Sequence, residues 1–487
     1  MHMLPATDAG KPQAAELGNG ELFSTVVAGG YCVGCGACAA ATAKIEMQFT
    51  ALGTYQAAVK NAQQLSRDEE RRAAAVCPFS AQANNEDEIA APLYEGHCKP
   101  HPEVGFYAET HAGYVIEGDF RARGSSGGMG TWLVAELLRL GLIDAVLHVT
   151  ATNEPAPGRR LLFRFSISRS LDELSDGAKS RYYPVTLAHV LEQVRVQPTL
   201  RYALVGVPCF VKAVRLLARQ DAVFGTAIRF YVGLVCGHLK SAAFGELLGW
   251  QVGVPPEGLT GINFREKLEG RKASRYGFRA ETQRADPTVN LTRPVSEVFG
   301  ADWGLGLFKY KACDFCDDVF AETADITVGD AWLPQYDGDF RGTNVLVVRH
   351  AVFSDLLARA VQEGRIKLAA LSIEETARSQ RSGLRHRREG LRWRLITARR
   401  RGEWHPPKRP VVATCAADAK RNRLYEVREE LRELSHQAFR KARANGNLEE
   451  FLRDMRPALK RYSRAYQPQL SVRIKNRLRR VLAYLNR

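Results

Sequence analysis

Nowhere in the 487 residues is there an uninterrupted apolar run of about 18 residues, the length a membrane-spanning helix needs. The first residues, MHMLPATDAGKPQ, lack a basic segment leading into an apolar core, so no secretory leader is read there. Both absences predict a cytoplasmic protein, and in a reducing compartment ten cysteines grouped in short motifs suit metal ligation better than disulfides. There is no internal repeat. Acidic residues are scarce at one end only. Residues 378–487 hold 31 Lys and Arg against 10 Asp and Glu, an excess of 21 positive charges. The whole chain carries a net +16, so the preceding 377 residues are net negative by 5. The basicity belongs to a C-terminal tail and says little about the chemistry of the main body.

The length and apolar content allow about three domains. Residues 1–21 are small and polar and read as a disordered leader. Residues 22–105 form a cysteine-bearing module, and residues 106–377 alternate strand-like and helix-period segments. GYVIEG precedes a glycine-rich turn and the helical MGTWLVAELLRLG; RYALVGV precedes FVKAVRLLARQ; RFYVGLVC precedes KSAAFGELLGW. This alternation predicts an α/β fold with a mostly parallel sheet. Cys209 and Cys236 then fall just past the C-terminal ends of two strands, where open α/β sheets bind ligands. Residues 378–487 read as a helical basic extension. In its last segment Ile474, Leu478, Val481, Leu482 and Leu485 share one face, with arginines opposite.

The stretch YCVGCGACAA spaces Cys32, Cys35 and Cys38 as C-x2-C-x2-C, and Cys77-Pro78 follows nearly forty residues later. A tight loop can point three thiolates at one face of a cubane, and a cysteine before proline is a usual fourth ligand in ferredoxin segments. Structural zinc takes C-x2-C pairs from two knuckles and has no use for the third close thiol. A 4Fe–4S cluster is the better fit, with zinc and unligated thiols as the alternatives. Cys313 and Cys316, in KACDFC, are half a cluster site and need two more thiols. Cys209 and Cys236, taken singly, could be small buried apolar residues. Cys98 and Cys415 stay outside both sets and read as structural or incidental. RGSSGGMG, Arg123–Gly130, uncovers backbone N–H groups at a helix N-terminus, which favours a phosphate. It matches neither the dinucleotide fingerprint nor the P-loop with its lysine.

In this order the motifs resemble the beta-subunit family of the coenzyme F420 (deazaflavin) hydrogenases and dehydrogenases, which also includes 7-hydroxymethyl chlorophyll a reductase. The marks are the N-terminal cysteines, SSGG (Ser125–Gly128), GAKS (Gly177–Ser180), GVPC (Gly206–Cys209), GLVCGH (Gly233–His238), NFREK (Asn263–Lys267) and CDFCDDVFAETADITVGDAW (Cys313–Trp332). The resemblance implies a flavoprotein with FAD beside one 4Fe–4S cluster and a second cluster in a ferredoxin-like segment. It implies Cys209, Cys236, Cys313 and Cys316 as the flavin-proximal cluster, and Ser125, Ser126, Gly127, Gly128 and Lys179 as parts of the FAD site. The family often has GSKY where this chain has GAKS; Tyr182 and Tyr183 follow slightly later. Arg265 and Lys267 read as surface charges, and no catalytic residue is assigned.

The expected activity is that of an FAD-dependent iron–sulfur oxidoreductase. Electrons would pass between a ferredoxin-like or deazaflavin donor and an organic small-molecule acceptor, through two clusters and FAD. One rival is a non-catalytic electron-relay subunit of a larger redox complex; another is a zinc-bound adaptor. The tail is expected to dock an acidic partner or an anionic membrane at the inner face, or else to clamp the body. Nucleic acid is disfavoured, since no recognised binding module accompanies the charge.

Overall fold

The computed structural model describes residues 21–156, 158–283, 290–409 and 418–466. Nearly all of the expected leader, Cys415 and the amphipathic segment around Ile474–Leu485 lie outside the described residues. Eight strands form the central sheet: β1 (Glu109–Val115), β2 (Ala145–Ala156), β3 (Arg159–Ser168), β4 (Tyr202–Gly206), β5 (Ile228–Leu234), β6 (Ile326–Asp330), β7 (Asn344–Val348) and β8 (Ile366–Ala370). Their spatial order is β8-β1-β7-β6-β5-β4-β2-β3.

The middle of the sheet, β6-β5-β4-β2, is parallel, and both flanks are antiparallel. The expected parallel sheet is therefore the centre of a mixed one. The reason is local for β3: only two residues separate it from β2, too few for a crossover, so it can only fold back. The central strands YALVG and IRFYVGL are nearly all apolar because both of their faces are covered. Helix α1 (Met129–Arg139) packs Met129, Trp132 and Leu133 against Val146, Ala203 and Val232 on one face. On the other, α2 (Ala188–Val196) and α3 (Pro208–Gln220) cover Ala145, Leu147, Leu204 and Tyr231. Alternate residues of each strand thus serve opposite layers, as a period of two requires.

The N-terminal cysteine region has a hairpin (Ile45–Phe49 with Tyr55–Val59) and two helices opened by capping boxes at Ser66 and Asn85. It shares the core beneath α2 and α3, where Val33, Ala37, Ile45 and Ala57 join Leu187, Val190 and Leu191.

The tail is part of the same body. Helix α4 (Leu391–Arg400), a strap through Arg409, and the pair α5 (Ala419–Ala444) and α6 (Leu448–Tyr466) lie on the sheet domain. Leu391 and Ala398 enter the core that holds the N-terminal cysteines, and Leu431, Phe439, Phe451 and Met455 pack with Phe244, Phe264 and Phe308. Of the two roles read for the tail, the described part has the clamping one. Among the described residues no helix is long and apolar enough to cross a membrane.

Two histidines packed into these layers make stability depend on pH. His148 on β2 shares a 2.7 Å hydrogen bond with Ser168 Oγ, and burial lowers its pKa to about 4. His436 on α5, half-buried, is also lowered to about 4, chiefly by loss of hydration. The unfolded chain, with histidines near 6.5, binds the extra protons first. Stability is complete above pH ~7 and falls as the pH drops toward 4, by about 2 kcal/mol per histidine at pH 5. Thermal melts from pH 7.5 to 5 are expected to show this decline, and His148→Asn should flatten it; an unchanged slope in the variant would refute the assignment.

Candidate functional site

In the N-terminal loop, Gly34 and Gly36 both have positive φ, which glycine alone adopts without strain. A Cβ on Gly36 would lie 2.6 Å from Thr186 Oγ1 and 2.7 Å from the Ala188 nitrogen. The loop is therefore pressed against the start of α2, where the Leu187 N–H donates to the Cys35 carbonyl at 2.9 Å. Cys77 arrives from the end of the helix Arg67–Ala75. Burial pushes the Cys35 thiol up to about 12, and Cys32 adds to it; Cys38 is raised by burial and then by Cys35, Cys32 and Cys77. Their mutual influence puts the four thiols in one group.

Cys209 opens α3, one turn beyond the C-terminal end of β4, and Cys236 follows β5. The segment Lys311–Phe315 brings Cys313 and Cys316 to them, and the Leu239 N–H donates to Cys313 Sγ at 3.2 Å. Burial and then Cys316, Cys236 and Cys313 raise the Cys209 thiol, so these four also form one group. Cys35 acts on Cys209 as well, and buried Tyr310 is influenced by both Cys32 and Cys313. Six of the eight cysteines lie in or against a single apolar core, so the two groups are neighbours within one layer. Among the described residues no group of three or more His, Cys, Asp or Glu side chains is arranged to hold a metal ion. Cys98 stands apart and donates to the Arg349 carbonyl, as a structural thiol would.

The glycine turn is built around close approach. A Cβ on Gly127 would meet the Gly113 carbonyl at 2.7 Å and Asn344 Oδ1 at 2.8 Å, and Gly128, with φ of +85°, starts α1. Ser126 Oγ donates to the Thr343 carbonyl at 3.0 Å, and Ser125 Oγ accepts from the Ser180 N–H at 2.8 Å, joining SSGG to GAKS. Gly177 is needed for packing, since its Cβ would fall 2.2 Å from His148 Nδ1.

Arg265 and Lys267 are not the surface charges the sequence suggests. Arg265 is 3 % exposed; it makes two bonds to Asp330, at 2.9 and 3.2 Å, and reaches the Tyr182 hydroxyl and the Ser125 carbonyl. Lys267 donates to the Ser126 carbonyl at 2.9 Å. Burial, then Lys179, Arg121 and Arg265, lower its pKa to about 7. Burial lowers Lys179 too, against the opposing pull of Glu266. Like charges crowd the turn, an arrangement complementary to an anion.

Sequence reasoning missed the wall between this turn and the second cysteine group. Tyr182 meets Trp303 edge-on at 4.7 Å, Trp303 meets His238 at 4.4 Å, and His238 is two residues from Cys236. Phe244 and Phe264 stack beside them at 5.7 Å. GLVCGH, which contains His238, NFREK, which contains Phe264, and Tyr182 stand out in the sequence, but Trp303 and Phe244 do not.

Two models of one family match the chain. The coenzyme F420 hydrogenase/dehydrogenase beta subunit N-terminal model matches residues 110–192 and the C-terminal model residues 199–374, together just over half of the sequence. No curated protein matches it. Among solved structures, a chain of the F420-reducing nickel–iron hydrogenase complex from Methanosarcina barkeri, studied by xenon derivatisation, is similar with a TM-score of 0.47 and 16 % identity. That similarity covers 64 % of this chain and 99 % of the other. The family models span β1 to β8, the glycine turn and the second cysteine group, and on them the chain belongs to the coenzyme F420 hydrogenase/dehydrogenase beta-subunit family.

Proposed function

We propose that the protein is an iron–sulfur flavoprotein oxidoreductase passing electrons between a ferredoxin-like or deazaflavin donor and an organic small-molecule acceptor. The observation that carries this reading is the gathering of eight cysteines into two groups of four, six of them in or against one core, the second group joined by aromatic rings to a cation-rich glycine turn. Cys32, Cys35, Cys38 and Cys77 would hold one 4Fe–4S cluster, and Cys209, Cys236, Cys313 and Cys316 the other. The donor sets fit, since four thiolates are what such clusters use. Ser125, Ser126, Gly127, Gly128 and Lys179 would hold the FAD phosphates, a role suited to a glycine turn at a helix start with Lys179 and Lys267 beside it.

When bound, FAD exchanges both hydrides and single electrons, which connects one-electron carriers to organic substrates. The chain's own part is to orient and exclude. Cys35 and Cys38 of one group and Cys236 and Cys313 of the other are buried, Lys179 and Lys267 bring positive charge to the turn, and Arg265 is fixed there by Asp330. Residues 22–105 and 106–377 would be the two cofactor-bearing parts. Docking to an acidic partner or an anionic membrane face would fall to cations not engaged with the body.

Anaerobic purification followed by metal and flavin analysis tests the reading. The expected result is a brown protein with about eight iron atoms and about one FAD per chain. A colourless protein holding zinc and no iron overturns it, and a protein with both cofactors that serves only a co-purifying enzyme favours the relay subunit.

A further inference from the structure

The basic run RSQRSGLRHRREG has the look of a solvated face, yet Arg387 within it is 1 % exposed. It sits in a wide π-helical turn, His386–Gly390, beyond the end of the family models. Its Nη2 donates to the carbonyls of Cys236 and Gly237 at 2.8 and 2.9 Å, which fixes the guanidinium over the second cysteine group. Its Nε and Nη1 hydrogens have no hydrogen-bond partner of ordinary geometry. The groups of opposite sign that act on it are Cys316, Cys236, Cys313 and Asp318. Buried donors left without partners are costly, so the guanidinium calls for acceptors, and the sulfurs are what it faces. The first group differs: the influences on Cys32, Cys35, Cys38 and Cys77 after burial are other thiols and backbone N–H groups.

We propose that Arg387 is the potential-setting residue of the second cysteine group, a fixed positive charge supplied by the C-terminal extension that makes this site the more oxidising of the two. The proposal rests on the cluster reading above. Adding one electron to a cluster makes it more negative by one charge, and Arg387 stabilises that reduced state without gaining or losing a proton. Net charge and hydrogen bonds to the sulfurs are established determinants of cluster potential. Lys408 also acts on Cys316, against Asp317 and Asp318. Among the described residues no cation is seen to act on the first group as Arg387 acts on the second, so an electron supplied by the ferredoxin-like or deazaflavin donor runs downhill from the first group to the second, toward the glycine turn.

The test is an EPR-monitored redox titration of the full-length, anaerobically purified protein, with iron counted in every sample. Loss of one signal in Cys313→Ser identifies the second site. In Arg387→Gln the ratio of reduced to oxidised cluster at a fixed potential is expected to fall at least tenfold at that site, about 59 mV for one electron, while the first site is unchanged. Arg387→Lys keeps the charge and loses the fork, so it should shift the same site in the same direction by less. If the Gln variant does not fold or loses iron, the Lys variant decides. Unchanged potentials, or equal shifts at both sites, at full iron content overturn the proposal while leaving the cluster reading intact. Wild-type protein without iron overturns the cluster reading itself, and this proposal with it.

Discussion

A chain ending at Ala377 is expected to be insoluble or unfolded and to retain neither iron nor flavin. The reason is the number of core positions supplied by the residues it loses. Leu424, Val427, Leu431, Phe439, Phe451 and Met455 are buried in the cluster that contains Phe244, Phe264 and Phe308, with Phe308 and Phe439 ring centroids 5.5 Å apart. At ~1.5–3 kcal/mol for each buried side chain, six of them are worth on the order of 10 kcal/mol, comparable with the ~5–15 kcal/mol that holds a folded protein together. The strap adds a second attachment. Trp404 packs edge-on against Tyr31 at 5.3 Å, and the Tyr31 hydroxyl donates to the Trp404 carbonyl at 2.9 Å, next to Cys32. Beyond it, Arg409 bonds Glu322 at 2.7 and 2.9 Å and Asp317 at 3.2 Å. One short segment thus touches the loops of both cysteine groups. Expression of residues 1–377, followed by solubility, circular dichroism and iron analysis, checks the expectation. A soluble, brown truncated protein melting at the full-length temperature would show that the tail only rests on the body.

The parts of this molecule legible in the sequence are those specified locally. Strand and helix periods in RYALVGV-PC-FVKAVRLLARQ place Cys209 past β4, and the observed strand and helix agree with that reading. The C-x2-C-x2-C loop announces its own compactness through Gly34 and Gly36. What could not be read is what depends on partners distant in the chain. A run of arginines has the same pattern whether it faces water or a buried acid, and the acids that decide the matter, Asp314 and Asp317, lie some 80 to 120 residues upstream of Arg394, Arg409 and Arg432. Arg265 was hidden in the same way, because Asp330 and Tyr182 come from other segments. Trp303 gave no signal at all: a lone tryptophan between turns has no period. The antiparallel flanks follow from short connections and pairings between distant strands, which apolar alternation does not encode.

Asp314→Asn is expected to destabilise the protein by about 3–5 kcal/mol, the cost of leaving buried charge uncompensated. Asp314 lies between Cys313 and Cys316 and is 1 % exposed. Its carboxylate bonds Lys309 Nζ and Arg432 Nη1, has Arg394 Nη1 at 3.6 Å, and its carbonyl accepts from Arg394. Three buried cations from three segments, one of them α4 and another α5, converge on this one carboxylate, and Arg432 has Glu433 as a second partner. The attraction of Lys309, Arg394 and Arg432 outweighs burial and keeps this carboxyl well below the usual range. Asparagine preserves the shape and removes the charge, so the three cations repel one another where water cannot screen them. Removing a cation instead, as in Arg432→Met, leaves the carboxylate with two partners and should cost less. An exposed pair sets the scale for the opposite case: Arg71 and Asp68 are mostly solvent-covered, and Asp68→Asn should change stability by less than ~1 kcal/mol. Denaturant midpoints of the three variants give the order. Hydrogen exchange locates the damage, with early loss of protection expected in α4 and α5 of the Asp314 variant. Equal midpoints for Asp314→Asn and Asp68→Asn would mean that the three cations find other partners, and that the tail is held by its apolar contacts alone.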